Sequence, residues 1–296
     1  MSTTNSTFAL AVACLLVGSA VALGAGIATA HGNHLSADAQ LSSDGTVVVE
    51  NLFFQNGGYL AVRADDGESP GRVLGYERLG AGYRSAVSVT ADAEYWAEQT
   101  NATTVWATLH RDDGDGEFEP NGDDDLFRSF GSFAGTQISV GKTDDGRSYV
   151  VAASASGARQ ATDGPTVAIE NASLAEPGYL AIHAVEDDYS PGDVVGHVRL
   201  EPGVHQNVTV EIDESFYESL DERYRLYAMI HADDGDGEFD PEADEAVTVG
   251  DATVGSLFDL RKAGEDGGLV NTAEPTATTT EESLVNTPTE NQTTQS

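Results

Sequence analysis

The chain has 296 residues, with 50 Asp and Glu against 14 Lys and Arg, a formal charge of −36. A surface this acidic repels phosphate, which excludes nucleic acid as a partner and disfavours docking on anionic lipid. In dilute salt its self-repulsion opposes the compact state, whereas at molar salt the Debye length falls to about 3 Å and the repulsion is screened. The composition is that of a protein from a high-salt environment.

The first 30 residues carry no acid or base. Phe8 to Ala30 is a run of apolar and small residues closing with Ala28-Thr29-Ala30, a secretory cleavage pattern that puts the mature start at His31. No basic residue precedes the run, and at roughly 20 residues it also has the length to span a bilayer. Residues 1–30 therefore read as a signal peptide or an N-terminal membrane anchor. Either one exports the rest to the cell surface or the medium, and membrane contact is expected only through this segment if it stays uncleaved. The one cysteine, Cys14, falls inside the leader, so the mature chain has neither disulfides nor a thiolate metal site. An N-terminal His31, with His34 nearby, has the groups to bind copper, but nothing else in the sequence points to that metal.

After a linker at 31–45, the chain is organised by an internal repeat with a period of 120 to 121 residues. Gly58-Tyr59-Leu60-Ala61 recurs as Gly178-Tyr179-Leu180-Ala181, Pro70-Gly71 as Pro191-Gly192, and Gly75 as Gly196. His110 to Pro120 matches His231 to Pro241 at nine of eleven positions. Within each copy the apolar period is two. Val105, Ala107 and Leu109 alternate with Trp106, Thr108 and His110, which buries the first set and leaves the second on the opposite face. Gly75 and Gly196 interrupt apolar runs and predict a bulge or bend. Residues 91–98 and 214–222 each predict one helical turn. The fold class is all-β: two tandem antiparallel, immunoglobulin-like β-sandwiches of about seven strands each. Repeat 1 covers 46–155, a linker 156–165, and repeat 2 166–262. Repeat 1 is expected to close with an extra hairpin, Ile138–Val140 against Tyr149–Val151. From 263 to 296, nine threonines with Glu and Asn and little apolar content predict a disordered tail. Sequons at Asn101, Asn171, Asn207 and Asn291 are candidate surface glycosylation sites.

The pattern of a Gly-aromatic-apolar strand, a Gly-containing bend, and a strand ending in Ala107-Thr-Leu-His110-Arg-Asp112 or Ala228-Met-Ile-His231-Ala-Asp233 resembles a domain of unknown function. That domain occurs in tandem in exported proteins of halophilic archaea. The resemblance covers roughly 46–140 and 166–255. It implies a β-sandwich and surface export, and carries no catalytic residues.

Both copies place Asp-Asp-Gly-Asp-Gly-Glu-Phe after the histidine strand. Calcium needs six to eight oxygens, and alternating carboxylates in one loop can converge them. The candidate ligands are Asp113, Asp115, Glu117 and Asp124, repeated as Asp234, Asp236, Glu238 and Glu245. Neither register of the EF-hand spacing fits, because the sixth position, which wants Gly, is Phe118 or Phe239, or else the first becomes Arg111 or Ala232. The alternative is a set of Asp-Gly turns, with Phe118 and Phe239 plugging the loop onto the core. His110 and His231 are expected to bond this loop. His183, His197 and His205 occur in the second copy alone, so no site built into the repeat requires them.

No Gly-x-Ser-x-Gly elbow, His-Glu-x-x-His pair or phosphate-cradling loop is present. The chain therefore reads as a non-catalytic structural or adhesion protein without a certain cofactor, whose partners are cell-envelope components or other surface proteins. A calcium-binding module is the alternative and an extracellular enzyme the lesser one.

Overall fold

A computed structural model describes residues 32–263, apart from 68, 130–131, 153–159, 188 and 221–223. The leader with Cys14, His31, the Thr-rich tail and Asn291 lie outside the described residues. No described helix is long and apolar enough to cross a membrane.

The first copy comprises β1 (His34–Ser36), β2 (Gln40–Ser42), β3 (Thr46–Phe54), β4 (Gly58–Asp65), β5 (Pro70–Leu79), β6 (Gly82–Thr90), α1 (Ala93–Glu98), β7 (Ala102–His110), the short pair β8 (Arg128–Ser129) and β9 (Ser132–Phe133), and β10 (Gly135–Lys142). The second follows with β11 (Arg147–Val151), β12 (Gln160–Thr162), β13 (Thr166–Leu174), β14 (Gly178–Val185), β15 (Pro191–Leu200), β16 (Gly203–Glu211), α2 (Glu214–Ser219), β17 (Tyr224–Ala232), β18 (Thr248–Val249), β19 (Ala252–Thr253) and β20 (Gly255–Lys262).

Each copy is a two-sheet, immunoglobulin-like sandwich. In the first, β1, β3 and β6 face a sheet ordered β2, β10, β7, β4, β5; in the second, β11, β13 and β16 face β12, β20, β17, β14, β15. The opening strand of each copy is split. Its first part pairs antiparallel with β3 or β13, and its second crosses to lie parallel to β10 or β20. The alternating apolar positions fill the space between the sheets. Val49, Leu60, Val62, Val105, Ala107, Leu109 and Val140 are buried in copy 1, and Ile169, Leu180, Ile182, Leu226, Ala228, Ile230 and Leu260 in copy 2. The helical turns fall where expected. Asp92 starts α1 by accepting the Tyr95 N–H at 2.9 Å, and Trp96 plugs the sandwich end with its indole N–H on the Ser43 carbonyl at 3.1 Å.

The glycine bend also stands. Gly75 pairs with Val62, the register shifts at the next residue, and a Cβ at Gly75 would overlap the Thr90 carbonyl. Gly196 and the Glu211 carbonyl repeat the arrangement.

Two boundaries differ from the sequence reading. Residues 34–36 and 40–42, assigned to a linker, are strands, as are 160–162 in the second linker. They escaped notice because three-residue polar strands carry no period. The expected terminal hairpin does not form either. β2 lies between β10 and β11, and β11 pairs with β13 as β1 pairs with β3, so Tyr149–Val151 opens the second copy instead of closing the first. Through Arg147 opposite Ser42 and Ser148 opposite Leu41, β11 also joins the first copy, giving one eight-stranded sheet across both. Val48, Tyr149 and Val151 pack at this junction, and Ala39 and Leu41 of copy 1 pack onto the core of copy 2.

Candidate functional site: an acidic loop stapled over each sheet

On the outer face of the β7 sheet, opposite the core, stand Tyr59, Ala61 and Arg63 of β4 beside His110, Thr108 and Trp106 of β7. The sequence left this set on the uncovered side. Thr108 and His110 are nevertheless fully buried, and Met229 and His231 nearly so. The cover is the acidic loop itself. Phe118 lies 4.7 Å from Tyr59, 4.6 Å from Tyr76 and edge-on to His110 at 5.1 Å. Phe239 takes the same place over Tyr179, His197 and His231. The phenylalanines do fasten the loops, but onto this outer face and not onto the sandwich core.

Local hydrogen bonding explains the acid spacing. Asp113 Oδ1 accepts the Asp115 N–H at 3.0 Å, and Asp115 Oδ1 accepts the Glu117 N–H at 2.8 Å. Asp234 and Asp236 repeat the two turns at 3.1 and 2.7 Å. Gly114 and Gly116 sit between them at φ of 105° and 83°, values open to glycine and costly for other residues. Asp124, 1% exposed, accepts the Asp113 N–H at 3.1 Å and the Glu119 N–H at 2.8 Å, one on each oxygen. Asp244 does the same for Asp234 and Asp240 at 2.9 and 2.8 Å. These are charge-assisted bonds, and each ties the two arms of its loop together.

Asp112 and Asp233 anchor the loops outward. Arg78 Nε donates to Asp112 Oδ2 at 2.7 Å while Asp112 Oδ1 accepts the Gly114 N–H. Arg199 donates to Asp233 Oδ2 at 3.0 Å, and Gly235 and Gly237 donate to Oδ1. The Arg78 guanidinium holds the Asp112 carboxyl below its usual range; for Asp233 the Gly235 amide and then Arg199 do so. His110 and His231 donate Nδ1–H to the carbonyls of Asp124 and Asp244 at 2.9 and 2.7 Å, the loop bond expected of them. Burial pushes both imidazoles below their ordinary value.

Of the eight acids named from sequence, the structure brings together Asp113 with Asp115 and Asp234 with Asp236. Their carboxylate oxygens lie within 4.8 Å of one another and of Asp112 or Asp233. Glu117, Asp124 and Glu238 stay outside those groups. Glu245 is displaced altogether: the second loop is one residue shorter, so Asp244 occupies the place of Asp124 and Glu245 that of Asp125. Sequence reasoning missed Asp112, Asp233, Asp244 and the two arginines. The available signal was the recurrence of Arg78 as Arg199 in a chain with few bases. Among the sequons, Asn101 and Asn207 are exposed, whereas Asn171 is 8% exposed within β13, between Val151 and Gln206, and offers no room for a glycan.

Comparison with known proteins agrees with the two-copy organisation. The model of the family described as Domain of unknown function (DUF7282) matches twice, over residues 33–138 and 153–257. Cell surface glycoprotein 2 of Haloarcula hispanica is 36% identical over 88 residues, 29% of this chain and 9% of the relative. Cell surface glycoprotein 1 of the same organism is 37% identical over 98 residues, 32% of this chain and 10% of the relative. The chain thus spans about a tenth of the length of the curated relatives it matches. Among solved structures, the crystal structure of CBD12 from CALX1.2 aligns over 78% of this chain and 99% of its own, at 9% identity and a TM-score of 0.20. With two matched segments that together cover most of the chain, each containing most of one sandwich and its stapled loop, the protein belongs to the DUF7282 family as a tandem pair.

Proposed function

We propose that the protein is a non-catalytic structural component of a halophile's cell surface, in which the two copies act as one stiff unit. The observation that carries this reading is the shared sheet. β11 is hydrogen-bonded to both copies, which opposes hinging between them and suits a spacer in an envelope assembly. The similarity of about a third of the chain to cell surface glycoproteins supports the location, and the acidic surface supports the salt. Its partners on this reading are envelope components, and among the described residues Asn101 and Asn207 are the exposed sequons. Fractionation of the source cells at native salt tests it: the protein should sediment with the envelope. Recovery in the cytosol would overturn the proposal.

A second reading, calcium binding, is favoured by the recurrence of converging carboxylates in both loops. Arginines and loop amides occupy Asp112 and Asp233, and loop amides alone occupy Asp124 and Asp244. The remaining oxygens of Asp113, Asp115, Asp234 and Asp236 are the ligands this reading uses, with Glu117 and Glu238 next along the loops. Calorimetry in molar KCl should then show two sites of similar affinity, and chelation should lower the melting point. No heat of binding and an unchanged melting point would exclude it.

A further inference from the structure

In copy 1 the buried histidine under the loop faces a permanent cation. His110 gives its Nδ1 hydrogen to the Asp124 carbonyl, so its Nε2 is an acceptor. Toward it point Arg63 Nη1 at 3.3 Å and Thr108 Oγ1 at 3.2 Å, while Arg63 Nε donates to the Gly71 carbonyl at 2.7 Å. Copy 2 keeps the framework and changes the donor. His183 stands in the place of Arg63, and Met229 in that of Thr108. His183 Nδ1 meets the Gly192 carbonyl at 2.9 Å, as Arg63 Nε meets Gly71, and His231 Nδ1 meets the Asp244 carbonyl at 2.7 Å.

A carbonyl only accepts, so both Nδ1 atoms carry hydrogen, and in neutral rings both Nε2 atoms are bare lone pairs. Those two Nε2 atoms lie 3.0 Å apart, with the rings 13° from parallel. Two lone pairs at that distance repel. One proton placed between them converts the contact into an N–H⁺···N hydrogen bond of ordinary length. We propose that copy 2 contains a buried proton-binding site, in which His183 and His231 share a single proton through their Nε2 atoms and so supply conditionally the positive donor that Arg63 supplies permanently in copy 1.

The surroundings set the stoichiometry and the pH range. His183 is 7% and His231 4% exposed, so burial opposes charge, and a charge on one ring opposes a second on the other. The site therefore takes one proton, on the acid side of the ordinary histidine value of 6.5. On the same face stand Tyr179 of β14, Tyr227 of β17 and His197 and Arg199 of β15, with Asp233 and Asp244 in the covering loop. Of these, Asp244 acts on His231 in favour of the charged form. The proton joins two tethers: His183 holds the start of β15 at Gly192, and His231 holds the acidic loop at Asp244. Loss of the proton breaks the link between the two tethers and loosens the second loop, which Phe239 and the Arg199–Asp233 pair still hold on the sheet. The first loop, under Arg63, does not respond.

Imidazole ¹⁵N NMR of the histidine-labelled protein in molar KCl tests the site. His183 and His231 should titrate together, with one midpoint below 6.5 and one proton gained between them. Both Nδ1 atoms should stay protonated throughout. In His183→Arg, His231 should keep an unprotonated Nε2 across the range, as His110 does in the unaltered protein; His183→Gln serves if that variant does not fold. Amide exchange at Asp234 and Asp240, whose N–H groups rest on Asp244, should quicken above the midpoint in the parent and show no step in His183→Arg. Independent titration of the two rings to full charge would overturn the proposal. So would an Nε2–H tautomer on either ring in the neutral state, or stoichiometric zinc uptake that abolishes the titration.

Discussion

Replacing Asp124 with alanine removes the acceptor of two loop amides at once, those of Asp113 and Glu119. A hydrogen bond to a charged acceptor contributes about 1.5–3 kcal/mol, so the pair amounts to about 3–6 kcal/mol. Loss of the staple also unseats Phe118 from Tyr59 and His110, which places the estimate toward its upper end. Asp124→Asn retains one carbonyl oxygen and turns an NH₂ group toward the other amide, and should lose about 2 kcal/mol. Both tryptophans, Trp96 and Trp106, lie in copy 1, so urea unfolding in molar KCl followed by tryptophan fluorescence reads the copy that carries the change. Asp244→Ala should lose as much, followed by far-UV circular dichroism. A loss below about 1 kcal/mol, or equal losses for Ala and Asn, would refute the staple. A loss that disappears when chelator is present in both samples would reassign Asp124 from the amides to a bound cation.

Glu50, 7% exposed at the junction, accepts from Ser256 Oγ of copy 2 at 3.3 Å and lies against Asp38. Burial, and then the Asp38 charge, push its carboxyl well above the ordinary 4.5. A raised folded value means that this group's stability is full below pH 4.5 and is lost as pH rises through the folded value. Glu50→Gln should remove that slope and stabilise the protein at pH 8 by about 1–3 kcal/mol; pH–melting curves of the two proteins that run parallel would count against it. Residues 31–262 hold 44 acids against 14 bases, a net −30. Dialysis to low salt without divalent ions should therefore abolish the near-UV circular dichroism, and an unchanged spectrum would remove the case for salt dependence.

The duplication was legible because Gly-Tyr-Leu-Ala and the acidic loop recur at one spacing, and the sandwich because Val105, Ala107 and Leu109 alternate. What stayed hidden was long-range partnership. Nothing near Tyr149 in sequence says that its strand starts a new domain; that follows from pairing with Ser173. The alternation marked His110 as facing away from the core but could not show that its own loop folds back over it. The acids of the loop were visible as a group, and their individual duties were not. Asp124 and Asp244 differ from their neighbours only in being buried, which depends on loop length and so misled the alignment with Glu245.

The shared strand β11 makes swapping the characteristic hazard of this molecule. A fragment cut at the family boundary of 153 lacks the strand that covers β13, and the matching N-terminal piece exposes the edge of β2 when β11 is trimmed away. Each bare edge offers unpaired amides and carbonyls to the β11 of another molecule. Halves of this protein are thus complementary adhesive ends, and an array lengthened by further copies joined in the same way would carry an eight-stranded sheet across every junction instead of hanging as beads on a string.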